Sequence, residues 1–310
     1  MQCSGYGTAA LRRTGAADLR GSGGACACAT GTLTPEGRGY PPADGSVLSM
    51  DLEQMRRLAR AAALEGADVV RSSRAPSAGE TKGLPGDWVT EADLASERAI
   101  KAFLGEATPE IPFQGEELGG NVDGLRWVVD PLDGTTNFVH GFMAVGVSVA
   151  LVEEERPVAG AIAAPFLGDC WHAATGLGAS WERPGGCWVP CAVSGRRPEQ
   201  AIVATGFPFR HKERLPRYLA AMQQALEHFE DLRRPGAACL DLAWTACGVF
   251  DGFFELGLAP WDVAAGGLLV REAGGAVTDW AGTGAFLSGD IMAGPPAVHE
   301  VLLSIASGAE

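Results

Sequence analysis

The segment Trp127-Val-Val-Asp130-Pro-Leu-Asp133-Gly-Thr-Thr-Asn137 constrains this chain more than any other part of it. The apolar run 125–129 reads as a buried strand that stops at Asp-Pro. It delivers two carboxylates, three apart, to its exposed C-terminal end. The prolyl turn is expected to aim both into one space, and Gly134-Thr135-Thr136 to open a helix. Hard divalent cations take oxygen ligands, and Mg²⁺ is held by one or two carboxylates together with water and substrate phosphate. The amides at a helix start form a ready anion site. A turn followed by a threonine cap explains Asp133 or Thr135 alone. It leaves Asp130 unexplained.

The rest of the chain is read for organisation. Residues 1–48 are rich in Gly, Ala and Thr with no sustained period, and a disordered or non-native extension is expected there. A first helix is expected over 50–72, opened by Met50, and a second over 91–105; Gly and Pro mark 75–87 as a mobile loop. Apolar runs at 145–152, 157–164 and 169–174 form a meander. From about residue 200 the pattern alternates: strands at 201–205 and 251–256, helices at 211–229, 237–249, 261–273 and 295–308. This implies an N-terminal α+β half over 49–195, carrying most of the acidic motif residues, and a C-terminal α/β half over 196–310.

Of 310 residues, 24 are Lys or Arg and 38 are Asp or Glu, a formal net charge of −14. That balance argues against nucleic acid, whose binders neutralise phosphates with basic stripes. No apolar run is long enough to span a bilayer. The eight cysteines form no paired Cys-x-x-Cys framework, and only Cys187 and Cys191 suggest zinc, without a second pair. A reduced, cytoplasmic setting is expected.

Three weaker signals accompany the central segment. Gly115-Glu116-Glu117 closes a short strand at 111–114. Trp261-Asp262-Val-Ala-Ala-Gly266 opens a helix that ends at Glu272-Ala-Gly-Gly275. Thr90-Glu-Ala-Asp93 has the form of a capping box. Gly-Glu-Glu, then Asp-Pro-Leu-Asp-Gly-Thr-Thr, then Trp-Asp-Val-Ala-Ala-Gly, in this order along the chain, resemble the inositol monophosphatase family, among the lithium-sensitive, magnesium-dependent phosphatases that include fructose-1,6-bisphosphatases. The resemblance covers about residues 50–308 and implies a layered α-β-α-β-α sandwich of α+β or α/β class.

The resemblance also implies roles. Glu116, Asp130 and the carbonyl of Leu132 would hold one Mg²⁺, and Asp130, Asp133 and Asp262 a second; a third, looser ion would use Glu116 and water. The amides of Gly134 and Thr135 would grip the phosphate. Water activated by the ions, oriented by Thr135 and Glu116 with Asp93 nearby, would attack phosphorus in line. Lys82 matches a loop lysine that would help close the site. Ala238 would border a small phosphorylated polyol, and Glu255, seven residues before Asp262, would accept from a ring hydroxyl. The Ala204-Thr-Gly-Phe-Pro-Phe209 segment resembles the inositol-phosphatase branch rather than the histidinol-phosphate branch, and a homodimer is the family's usual assembly. His140 and His172 are read as packing or surface residues.

Two other readings stand beside this one. Haloacid-dehalogenase phosphatases also carry paired aspartates before Gly-Thr, but two apart, as nucleophile and acid. A regulatory binding protein on the same fold is the other. The acidic residues gathered by the motifs would repel a phosphate unless bound cations inverted the local sign.

Overall fold

A computed structural model describes residues 51–73, 80–81, 88–120, 123–209 and 211–309. The expected extension at 1–48, Met50, Lys82 and most of the loop at 75–87 lie outside the described residues. Helix α1 (Leu52–Ser72) starts at Asp51, whose carboxylate accepts from the amides of Glu53 and Gln54. It buries Met55, Ala59, Ala62, Ala63, Gly66, Ala67 and Val70 at helical spacing. A two-residue ladder, β1 (Glu80–Thr81) with β2 (Trp88–Val89), precedes α2 (Glu91–Ala107). The helices approach closely at Gly66, where a Cβ would stand 2.6 Å from Ile100 Cδ1.

The larger sheet has eight strands: β3 (Phe113–Gly115), β4 (Gly119–Gly120), β5 (Leu125–Asp133), β6 (Gly146–Glu153), β7 (Arg156–Ala164), β8 (Asp169–Ala174), β9 (Gly178–Arg183) and β10 (Cys187–Pro190). Their order is β10-β9-β8-β7-β6-β5-β3-β4. Both faces are apolar because helices cover both. On β6, Val147, Val149 and Leu151 join the cluster under α1 and α2. The intervening Ala150 and Val152 join the cluster on the opposite side.

That second cluster is shared with α5 (Ala238–Ala246) and α6 (Pro260–Glu272), and with a five-stranded sheet. The sheet comprises β11 (Ile202–Thr205), β12 (Asp231–Arg233), β13 (Gly252–Glu255), β14 (Ala276–Thr278) and β15 (Ile291–Gly294), in the order β12-β11-β13-β15-β14. Its outer face is closed by α4 (Leu215–His228) and α7 (Pro296–Gly308) around Tyr218, Ala221, Val298, Leu302 and Ile305. The layers run helix, sheet, helix, sheet, helix, as expected. Small residues make α6 thin enough for the middle layer. A Cβ on Gly266 would meet Leu242 Cβ at 2.5 Å, and one on Gly267 would meet the Phe286 ring at 2.5 Å.

The structure corrects the sequence reading at the central motif. The strand does not stop at Asp-Pro; β5 continues to Asp133. Asp130 pairs with Ser148 and Asp133 with Gly146, so three steps along β5 match two along β6. That is a bulge with one extra residue. On a regular strand, residues three apart face opposite sides; the bulge puts both aspartates on one side. The strands missing from the sequence reading are β1, β2 and β4 at two residues each, β9 and β10, a hairpin with a largely polar or exposed face, β12 and β14 at three residues each, and β15.

Candidate metal centre and phosphate cleft

A cleft of about 430 Å³ opens where the bulge of β5, the starts of α3 (Thr135–Val139), α5 and α6, and the end of β13 converge. Its lining includes Glu116, Asp130, Leu132, Asp133 and Asp262, with Gly134, Thr135, Ala238 and Glu255. Asp93 lies behind Thr135, fully buried.

Local structure fixes each acid. The Leu132 amide donates to Asp130 Oδ1 at 2.9 Å. The Cys239 amide, in the first turn of α5, donates to Asp133 Oδ2 at 2.7 Å. Asp262 Oδ2 accepts the Ala259 amide at 2.6 Å, so this residue does cap α6 as its place at a helix start suggests. Ser148, opposite Asp130 in the ladder, donates its hydroxyl to Trp261 O at 3.0 Å and pins the start of α6 over the bulge. Asp130, Asp133 and Asp262 thereby bring ligand oxygens within 4.8 Å of one another. Glu116 lines the same cleft but stands outside that triad.

Like charge dominates here. Burial raises the Asp130 carboxyl well above the usual range, and Glu116, Asp133 and Asp262 raise it further. Burial, then Asp133 and Glu116, pushes Asp262 up to about 7. Carboxylates so disposed favour protonation unless a cation neutralises them. An all-oxygen set of this kind fits a hard divalent ion, which relieves the repulsion.

The start of α3 is equally constrained. Gly134 has φ 88°, and a Cβ there would lie 2.9 Å from Ala144 O, so glycine is required. Thr135 Oγ1 stands 3.1 Å from Asp93 Oδ1 and 3.1 Å from Leu132 O. The other Asp93 oxygen accepts the Thr90 amide at 2.8 Å and the Thr90 hydroxyl at 2.5 Å. Asp93 therefore both caps α2 and orients Thr135. Burial raises its carboxyl above the ordinary range.

Glu255 sits at the end of β13, a central strand of its sheet. Its carboxylate fills the space over Gly206, where a Cβ would fall 1.9 Å from Oε1. Arg234 stacks over Phe207 and Phe209 at 5.3 and 5.4 Å on the same rim. Several sequence candidates lie elsewhere. Glu117 does not line the cleft, and Glu272 binds the amides of Gly176 and Gly178 at 3.0 and 2.9 Å. Cys187 is exposed on β10 while Cys191 is buried. His172 lies inside β8, and His140 is exposed at the end of α3.

Sequence reasoning missed Cys239 and Glu97. Glu97 is fully buried and accepts the Glu117 and Leu118 amides at 3.1 and 2.9 Å. Its spacing of four from Asp93, one turn along α2, was the available signal.

The model of the inositol monophosphatase family matches residues 51–309. The chain belongs to the inositol monophosphatase family. Among this family's members, the Nus factor SuhB of Pseudomonas aeruginosa is 41% identical over 228 residues, covering 70% of this chain and 82% of that protein. The extragenic suppressor protein suhB of Bartonella henselae superposes with a TM-score of 0.75 at 35% identity, covering 82% of this chain and 98% of the other. An inositol monophosphatase from Anabaena (Nostoc) sp. gives 0.71 at 32% identity, covering 84% and 96%. Among the described residues no helix is long and apolar enough to cross a membrane.

Proposed function

We propose that this inositol monophosphatase family member is a Mg²⁺-dependent phosphomonoesterase acting on a small polyol phosphate, with inositol monophosphate as the substrate. The convergence of Asp130, Asp133 and Asp262 beside Thr135 carries the reading. Glu116, Asp130, Asp133, Asp262 and the Leu132 carbonyl would hold two or three Mg²⁺. Bound there, the ions would lower the pKa of water and stabilise charge on the attacking and leaving oxygens.

The chain's own groups supply the rest. Thr135 Oγ1, with its proton directed to Asp93 Oδ1, presents lone pairs that orient a water molecule. Asp93, its carboxyl raised by burial, receives the proton passed through that hydroxyl. The amides of Gly134 and Thr135 face the phosphate, and Glu255 accepts from a polyol hydroxyl against the wall at Ala238. The acids stand ready as ligands rather than as a nucleophile, so no phospho-enzyme forms on Asp130.

Phosphate release with Mg²⁺ tests this on inositol monophosphate, histidinol phosphate, fructose-1,6-bisphosphate, adenosine bisphosphate and NADP. Chelation should abolish turnover and Li⁺ should inhibit it. Glu255→Ala should lower kcat/KM on inositol monophosphate by about 10²-fold while sparing substrates that lack the matching hydroxyl. Turnover indifferent to chelator and Li⁺, or a trapped acyl-phosphate on Asp130, would overturn the reading.

A second reading draws on the relatives' name, Nus factor. On it the same fold serves as a binding protein, alone or beside catalysis. A purified chain silent on every ester above, yet needed in cells even as Asp133→Asn, would support it. A homodimer in a reducing compartment is proposed with either reading; the five described cysteines are all free thiols. Sedimentation checks the assembly.

A further inference from the structure

Three polar residues are buried on one face of α2 where an amphipathic helix would carry apolar ones: Asp93, Ser96 and Glu97, each 0% exposed. Each reaches a different part of the cleft. Asp93 accepts from Thr135. The Ser96 hydroxyl donates to Pro131 O, inside the bulge of β5, at 2.9 Å. Glu97 grips the turn between β3 and β4, which carries Glu116.

We infer that Glu97 is a positioning residue for the metal centre, fixing Glu116 through the backbone of its turn. Glu116's own amide donates to Val129 O on β5 at 3.2 Å. The next two amides, of Glu117 and Leu118, go to Glu97 Oε1 and Oε2. Three consecutive amides are thus committed, two of them to one side chain. The carboxylate occupies the space a side chain at residue 115 would need: a Cβ on Gly115 would lie 1.7 Å from Oε1. That is the structural reason for the glycine of Gly115-Glu116-Glu117.

Only a carboxylate does this task with both atoms. Two divergent amide donors require two acceptors, and a glutamine would turn an NH₂ group toward one of them. Burying an acid costs more than burying a neutral amide. A fold needing only to close this turn has a cheaper solution. The face of α2 thus sets both sides of the cleft in one register, Thr135 through Asp93 and Glu116 through Glu97, with Ser96 on the bulge between them. Groups behind metal ligands commonly change metal affinity about 10- to 100-fold when removed.

The inference rests on the proposed role of Glu116 as a Mg²⁺ ligand, and the test keeps the two apart. Thermal unfolding midpoints of wild type, Glu97→Gln and Thr108→Val are followed across a Mg²⁺ titration, without substrate. Thr108→Val removes a buried hydrogen bond from Trp127 Nε1 at the other end of α2, far along the helix from the turn. Both variants should unfold earlier without metal. Glu97→Gln alone should need about tenfold or more Mg²⁺ for half of the midpoint rise. In turnover it should be rescued toward wild type by raised Mg²⁺. A Glu97→Gln chain with the Mg²⁺ requirement of wild type or of Thr108→Val would overturn the inference. So would one with no cooperative transition, which would assign Glu97 to the fold itself. A wild-type midpoint indifferent to Mg²⁺ would sink the metal reading, and this inference with it.

Discussion

Away from the cleft, buried and half-buried carboxylates end on cations and amides, whereas in the cleft they hold an amide apiece and face one another. Asp251, with its side chain fully buried, accepts from Arg196 at 2.7 Å and from the Ile202 amide at 2.7 Å. Asp290 takes Arg214 and the Gly257 amide. These acids are satisfied by the chain itself. Asp130, at 1% exposure, has a single backbone donor and three acidic neighbours that push its carboxyl further up. His172 is a third case, buried as a neutral ring edge-on to Trp188 at 4.6 Å. Neither of its ring nitrogens has a hydrogen-bond partner among the described residues. Burial and the cations Arg56 and Arg60 lower its pKa to about 4, against the opposing pull of Glu182 and Glu53. The contrast teaches that burial alone does not mark a functional acid. An acid whose neighbours are acids is one the chain has left for something else to neutralise.

The largest effect expected from this contrast is at Asp130. Asp130→Asn should lower kcat about a thousandfold or more, equivalent to about 4 kcal/mol, while raising the unfolding midpoint of the metal-free chain. Phosphate release and thermal unfolding in chelator measure the two; loss of both activity and stability would erase the distinction from Asp251 and Asp290. Asp251→Asn should do the opposite. It should cost about 2 kcal/mol of stability, the scale of charge-assisted hydrogen bonds, and leave any Mg²⁺ dependence of the folded chain unchanged. Denaturant unfolding and a Mg²⁺ titration check it.

The smallest effect concerns His172. Its folded pKa lies below the unfolded value, so the unfolded chain binds the proton more readily between about 6.5 and 4. This group's contribution is present above that window and lost as pH falls through it, about 1 kcal/mol between pH 7 and 5.5. His172→Phe should remove that part of the pH slope in denaturant unfolding. Equal slopes for both chains would show that His172 is not buried neutral.

Much of the site was legible because its acids sit in short segments whose sequence is itself diagnostic. The acid pair before Gly134, the acid at the start of α6 and the glycine before Glu116 each carry local meaning. The long amphipathic helices and apolar strands were legible too, since their periods run over many residues. What sequence could not reveal was contact between distant elements. Nothing local says that Glu97 reaches the turn after β3, or that the amide of Cys239 seats Asp133. Strands of three residues, such as β12 and β14, are too short to display a period. The largest misreading was the end of β5, where proline suggested a turn. Proline is tolerated at bulges, and here the ladder resumes at Asp133.

That extra residue makes the motif a measure of length. Two acids separated by one residue share a face on any regular strand, the arrangement of an Asp-x-Asp motif. Two acids separated by two residues share a face only if the ladder absorbs a surplus residue between them. Deleting Leu132 would leave Asp-Pro-Asp, with both acids still on one face of a now regular strand and the bulge gone. What the surplus residue adds is the bulge itself, and with it the Leu132 carbonyl that accepts from the Thr135 hydroxyl.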